Sequence, residues 1–310
     1  MIRVEALQKS FGARRVLDDL TFTVPPGEIF GFVGPNGAGK TTTIRILATL
    51  GAADAGLAEI GGINVASDPG EIRRVLGYMP DFFGVYDRLT AIEYLEFYAS
   101  CHRVPRALRP RVASQLLELV NLADRSRDQV DTLSRGQKQR LGLARALVHD
   151  PSVLLLDEPA SGLDPRARIE MRELVRELSR MGKTILISSH ILPELEELCT
   201  HVGFIDGGRM VAAGPMADVR DRVAAGRRFR ADLVPGVEGA LDAAALLLRG
   251  MAGVVAVEVL PDHILVTAGD EFMEDQALAA LIGAGVRVRA FAAVAGDLSD
   301  AFMRLTVGQA

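Results

Sequence analysis

The run Gly34-Pro35-Asn36-Gly37-Ala38-Gly39-Lys40-Thr41 fits the pattern G-x-x-x-x-G-K-[ST], and Thr42 opens an apolar-periodic stretch that continues to Leu50. In such a loop the glycines let main-chain N–H groups close around phosphate oxygens, and the start of the following helix favours an anion. Lys40 reaches the β- and γ-phosphates, and the Thr41 hydroxyl ligates Mg²⁺. The chemistry expected of residues 34–42 is capture of a nucleotide together with its metal.

A second cluster supplies what hydrolysis would need. Val153-Leu154-Leu155-Leu156 is an apolar run that ends in Asp157 and Glu158. Asp157 is suited to hold Mg²⁺, directly or through water, and Glu158 then faces the site as candidate general base for the attacking water. His190 follows the apolar run Thr184 to Ser188, where an imidazole could hydrogen-bond a γ-phosphate, although a lone histidine is more often structural. Leu133-Ser134-Arg135-Gly136-Gln137 precedes a helical run that reaches Val148. Ser134 with Gln137 three residues later is a capping box, yet a hydroxyl and a bare glycine backbone at a helix start also make an anion site. Taken alone, the pentapeptide is open between those two readings.

These residues need elements to position them. Ile29 to Val33, Val153 to Leu156 and Thr184 to Ser188 read as buried strands, each ending where a candidate ligand group begins. Open α/β sheets gather their sites at strand carboxyl ends, and the first 220 residues alternate strand-like and amphipathic runs as a βαβ plan requires. Leu89 to Leu147 reads mainly as helix and predicts a helical insert over about 89–148. From Gly226 onward the strand-like runs Phe229–Val234, Val254–Leu260, His263–Val266 and Val286–Val294 are separated by helical runs at 238–249 and 273–282. They predict a second, small α+β domain over 226–310.

With 310 residues, 24% charged and 49% hydrophobic, the chain has the balance of a globular protein of about two domains. No stretch reaches the ~18 uncharged apolar residues of a membrane helix, and the N-terminus lacks a signal-peptide core. Two cysteines, Cys101 and Cys199, show neither a disulfide framework nor metal-ligand spacing, so a cytosolic location is expected. Thirty-five basic against 40 acidic residues give a net charge of −5, which argues against nucleic acid as a partner.

Taken together, Gly34 to Thr42, Leu133 to Gln137, Leu154 to Glu158, Ser161-Gly162-Leu163-Asp164 and His190, in this order, resemble the ATP-binding cassette (ABC) ATPases over about residues 1–220. The resemblance implies a P-loop NTPase fold, a mixed sheet with a helical subdomain, and ATP with Mg²⁺ as the bound pair. In that family the runs are, in turn, the Walker A loop, the signature, Walker B, the D-loop and the switch histidine. Two cassettes pair head to tail, so Ser134, Gly136 and Gln137 of one subunit would contact ATP held by Lys40 of the other. Phe11 sits where cassettes carry an aromatic that stacks on adenine; the alternative is a staple packing the N-terminal strands. Asp81 stands where most cassettes have the Q-loop glutamine, and as a carboxylate it can still reach Mg²⁺ or water. Arg135 replaces the first glycine of the usual signature pair.

All four tyrosines, with Phe82, Phe83 and Phe97, fall between Tyr78 and Tyr98. They read either as a helical-subdomain core or as a groove for a coupling helix of an integral membrane permease, which is where the family receives it. The segment from about Gly226 resembles the appended domain of cassettes that serve drug, polysaccharide or sodium export. Its last run places Leu298, Phe302 and Leu305 on one helical face, suited to packing, with regulation or dimerisation as the second reading. The function expected is an ATPase subunit, peripheral on the inner face of the cell membrane, that powers a separately encoded permease of the ABC-2 exporter type. The alternative is a soluble cassette acting on ribosomes or DNA. Against it stand a single cassette, no long heptad insert between Lys40 and Ser134, and the negative net charge. A nucleotide kinase or GTPase would share the phosphate loop but have no use for Leu133 to Gln137.

Overall fold

The computed structural model describes residues 1–81, 88–189, 191–223, 227–234, 239–269 and 271–294. It divides into two compact units, Met1–Met216 and Ala217–Ala310. At the centre of the first is a six-stranded sheet in the spatial order Arg209–Pro215, His201–Asp206, Ile29–Val33, Thr184–Ser189, Val153–Asp157, Leu76–Met79. Arg209–Pro215 pairs antiparallel with His201–Asp206, and every other neighbouring pair is parallel. Ile29–Val33, Val153–Asp157 and Thr184–Ser189 are buried at every position, which is why their sequences are continuous apolar runs rather than alternating ones. Because these strands run parallel, the residues that follow Val33, Met79, Leu156 and Ile187 emerge at one edge of the sheet.

The N-terminal region departs from the βαβ expectation. Ile2–Phe11 and Arg14–Val24 form a hairpin that joins Ala55–Ile60 and Ile63–Asn64 in a separate antiparallel sheet. Here the burial of Ile2 and Val4 against the exposure of Arg3 is the period-2 signal of a half-covered strand. Phe22 of that sheet stacks on Phe30 and Phe32 of the central sheet, at centroid separations of 5.4 and 5.3 Å, so the two sheets share one core. Each of those rings is at most 4% exposed, a burial worth roughly 1.5–3 kcal/mol apiece.

Helices Ala91–Cys101, Arg109–Leu119 and Arg135–Ala146 occupy the stretch expected to be helical. The first and third start at capping boxes, Thr90 with Glu93 and Ser134 with Gln137. Tyr94, Leu95, Leu117, Val120 and Leu141 are fully or almost fully buried. Tyr94 packs edge-on against Tyr98 at 4.9 Å, so for this part of the aromatic cluster the core reading is the one realised. Phe97 is 43% exposed; Phe82, Phe83 and Tyr86 lie outside the described residues.

In the second unit, strands Arg227–Leu233, Val254–Val259, His263–Ala268 and Val288–Val294 alternate with helices Ala240–Arg249 and Glu274–Gly283 in the order β-α-β-β-α-β. The sheet order is Val254–Val259, His263–Ala268, Arg227–Leu233, Val288–Val294, antiparallel throughout, a split βαβ plan. Phe229, Ala244, Leu248, Ile264, Val266, Phe272 and Leu281 fill its core. The expected terminal helix with Leu298, Phe302 and Leu305 lies outside the described residues.

Candidate functional site

The loop after Ile29–Val33 ends at Gly39, which caps the helix Lys40–Leu47 with φ 113°. A Cβ at Gly39 would stand 2.5 Å from Leu17 Cδ2, so both the backbone and the space around it require glycine. The helix therefore begins at Lys40, ahead of the apolar period that marks it in the sequence. Lys40 is only 6% exposed, and its ammonium donates to the carbonyls of Gly34 at 2.6 Å and Pro35 at 3.2 Å. Burial pushes its pKa down while Glu158 and Asp157 act in the opposite direction.

Around this loop lies a cavity of about 510 Å³, lined by Pro35, Asn36, Gly37, Gly39, Lys40, Thr41 and Thr42 together with Phe11, Arg14, Val16, Asp81, Glu158 and Ser161. Gly34 and Ala38 stand behind the lining, Ala38 at 3% exposure. Phe11 is 60% exposed at the cavity, with Lys9 Nζ 5.4 Å from its ring centroid, so it is not a buried staple between strands.

Asp157 ends its strand at 2% exposure. The Ser188 hydroxyl donates to its Oδ1 at 2.6 Å, and the Thr41 hydroxyl lies 3.4 Å from the same oxygen. Burial pushes this carboxyl up; the two hydroxyls pull the other way, and the Asp81 charge adds to the rise. Ser188 also accepts from the main-chain N–H of Glu158, through its hydroxyl at 3.0 Å and its carbonyl at 3.2 Å. One serine thus orients both acidic positions. Glu158 holds φ at 50°, a left-handed conformation that costs a non-glycine residue roughly 1–2 kcal/mol. Asp81 reaches the cavity at the end of Leu76–Met79, and its carbonyl accepts from the buried Gln139 amide at 3.4 Å.

Ser134, Gly136 and Gln137 do not reach this cavity. With Arg140, Asp164, Arg166, Ala167 and Glu170 they line a separate cleft of about 260 Å³. Their capping box is complete: the Gln137 N–H donates to Ser134 Oγ at 3.3 Å, and the Ser134 N–H to Gln137 Oε1 at 2.9 Å. His190 lies outside the described residues. Three contributors were missed in the sequence: Arg14, Gln139 and Ser188. A hydroxyl closing an otherwise apolar strand was a readable signal for Ser188; nothing local marks Arg14 or Gln139.

Residues 17–161 match the family model described as ABC transporter. The chain is 35% identical over 309 residues to the daunorubicin resistance ATP-binding protein DrrA3 of Streptomyces coeruleorubidus, covering 98% of this chain and 95% of the relative. It is 41% identical over 213 residues to the Nod factor export ATP-binding protein I of Paraburkholderia xenovorans (strain LB400), covering 69% and 70%. A solved ATP-binding subunit of an ABC transporter superposes with a TM-score of 0.65 at 33% identity, over 72% of this chain and 92% of that one. Phosphate loop, buried acidic strand end and signature helix thus stand on a cassette fold with matching relatives, and the chain belongs to the ATP-binding subunits of ABC transporters, ATPases whose hydrolysis is coupled to transport.

Proposed function

We propose that this chain, paired head to tail with a second copy, hydrolyses ATP to drive a separately encoded integral membrane permease, in an exporter of the ABC-2 type. The observation that carries the pairing is the separation of Ser134, Gly136 and Gln137 from the cavity at Lys40. A signature that cannot serve its own nucleotide is suited to serve the one held by a partner. Export as the direction is supported by the relative named for Nod factor export. Among the described residues no helix is long and apolar enough to cross a membrane, and in the proposed assembly the permease supplies the transmembrane path. The subunit is then cytoplasmic and peripheral on the inner face of the membrane, with no role for nucleic acid.

Within the site, Lys40 and the main chain of residues 34–42 hold the phosphates, and Phe11 stacks on the adenine. Thr41 and Asp157 present hard oxygens 3.4 Å apart, a donor set that fits Mg²⁺, with Asp81 as a further carboxylate at the cavity. Mg²⁺ when bound would neutralise charge on the β- and γ-oxygens. Glu158, held by Ser188, takes the proton of the attacking water. His190 meets the γ-phosphate.

The test is to express the tagged chain with the membrane protein encoded beside it and measure ATP turnover. Co-purification with stimulated turnover is expected. A chain that stays soluble and sediments with ribosomes or DNA would replace the permease by a nucleic-acid target.

A further inference from the structure

We infer that Arg135 couples the two nucleotide sites of the paired assembly by tying the signature helix to the turn that carries Glu158; this rests on the head-to-tail pairing proposed above. Arg135 stands where the resemblance leads one to expect the first glycine of the signature pair. Its side chain is not needed to start the helix, because Ser134 and Gln137 cap each other. It reaches instead to the D-loop, where its Nη2 donates to the Ser161 carbonyl at 2.9 Å.

The guanidinium then lies over Gly162. A Cβ on Gly162 would stand 2.3 Å from Arg135 Cζ, 2.5 Å from Nη2 and 2.6 Å from Nη1, so the arginine fills the space a side chain would take. Ser161 in turn lines the cavity at Lys40, and its N–H donates to the Glu158 carbonyl at 3.0 Å. A continuous path therefore runs from the cleft of Ser134 and Gly136, through Arg135 and Ser161, to the candidate base. In the paired reading the two ends of that path meet different nucleotides. A phosphate seated on the signature of one chain pulls on the Glu158 turn of the same chain, which serves the other site. Arg135 is a positioning residue in this scheme. Lysine would keep one donor but lose the planar cover over Gly162.

The experiment uses the full-length chain, its Arg135→Gly and Arg135→Lys variants, and Glu158→Gln as the background for ATP-driven dimerisation followed by light scattering. Arg135→Gly is expected to bind ATP within about twofold of the parent and still dimerise in the Glu158→Gln background, while its Hill coefficient for hydrolysis falls from about 2 toward 1. Its kcat should drop about tenfold with KM little changed, and Arg135→Lys should restore part of kcat. A variant whose Hill coefficient and kcat match the parent overturns the inference. So does a reduced kcat with the cooperativity intact, the result of a purely structural loss, or a parent with a Hill coefficient of about 1. Failure of Glu158→Gln to dimerise with Arg135 intact withdraws the pairing itself, and the coupling with it, and is distinguishable because no Arg135 variant is involved.

Discussion

Glu158→Gln should separate binding from turnover. The main-chain N–H of Glu158 is fixed by Ser188, and Ser188 holds Asp157 through its hydroxyl, so an isosteric amide leaves the Asp157 carboxylate and the backbone where they are. Glutamine also accepts the φ of 50° on the same terms as glutamate, so no new backbone strain enters. What disappears is the acceptor for the water's proton, a loss of 10²–10⁴-fold, or roughly 2.7–5.4 kcal/mol in the barrier. Glu158 also supports the charge on Lys40, but the variant removes one negative charge from a cavity that must accept an anion. ATP affinity is therefore expected to hold or to tighten by up to about tenfold. Single-turnover release of phosphate and equilibrium binding of a fluorescent ATP analogue measure the two quantities on one preparation. Turnover within tenfold of the parent would refute the assignment of Glu158 as base. A large loss of affinity would refute the claim that Ser188 keeps the two acidic positions in place without help from the Glu158 carboxylate.

Arg14 lines the cavity with its guanidinium near Gly37, Nη2 lying 3.4 Å from where a Cβ on that glycine would be. Arg14→Ala should weaken ATP and ADP by about three- to tenfold while leaving adenosine unaffected, as isothermal titration of the three ligands would check. Asp157→Asn should raise the Tm of the nucleotide-free protein at pH 7.5. Its carboxyl is pushed above the ordinary value of 3.8, so ionisation costs the folded state, and the gain should fade as pH is lowered toward that value. His149 donates through Nε2 to the Leu76 carbonyl at 3.0 Å and stacks on His102 at 3.8 Å, and its buried Nδ1 meets no hydrogen-bond partner among the described residues, so a proton placed there would find no acceptor. Burial first, then His102, holds its pKa down at about 4 against the ordinary 6.5. Stability is thus complete above pH 6.5 and lost on the way to 4; the linkage gives at most about 2 kcal/mol by pH 5, and about 1 kcal/mol after solvent screening. Urea unfolding at pH 7.5 and 5.0 should show that difference in the parent and not in His149→Gln.

The phosphate loop, the acidic strand end and the helical region were legible because each is specified locally. A glycine pattern, an unbroken apolar run and a capping box need no distant partner to be read. The N-terminal antiparallel sheet was not anticipated, because Ile2–Phe11 pairs with Ala55–Ile60 across an intervening phosphate loop and helix, and such pairing leaves no trace in either strand alone. Arg14 and Gln139 were missed for the same reason. Gln139 sits on the signature helix at 4% exposure, and only the fold carries its amide to the carbonyl of Asp81.

Asp81 shows how one residue can be found by pattern while its consequence waits for the structure. Its position was marked by departure from a family glutamine, but the sequence did not show what the change does to its neighbours. In the fold the Asp81 charge raises the carboxyl of Asp157, which burial already pushes up, while the Ser188 hydroxyl works against that rise. Two carboxylates near one cavity repel each other until a cation joins them. A glutamine at 81 would remove that repulsion, so the aspartate should make metal affinity steeper in pH than a glutamine would. Asp81→Gln should therefore flatten the pH dependence of Mg²⁺ binding on the acid side of neutrality, above the ordinary carboxylate value of 3.8 from which Asp157 is raised, as read by metal titration with ATP held constant. An unchanged slope would mean that Asp81 does not sense the metal site, and that its carboxylate serves only the surface of the cavity.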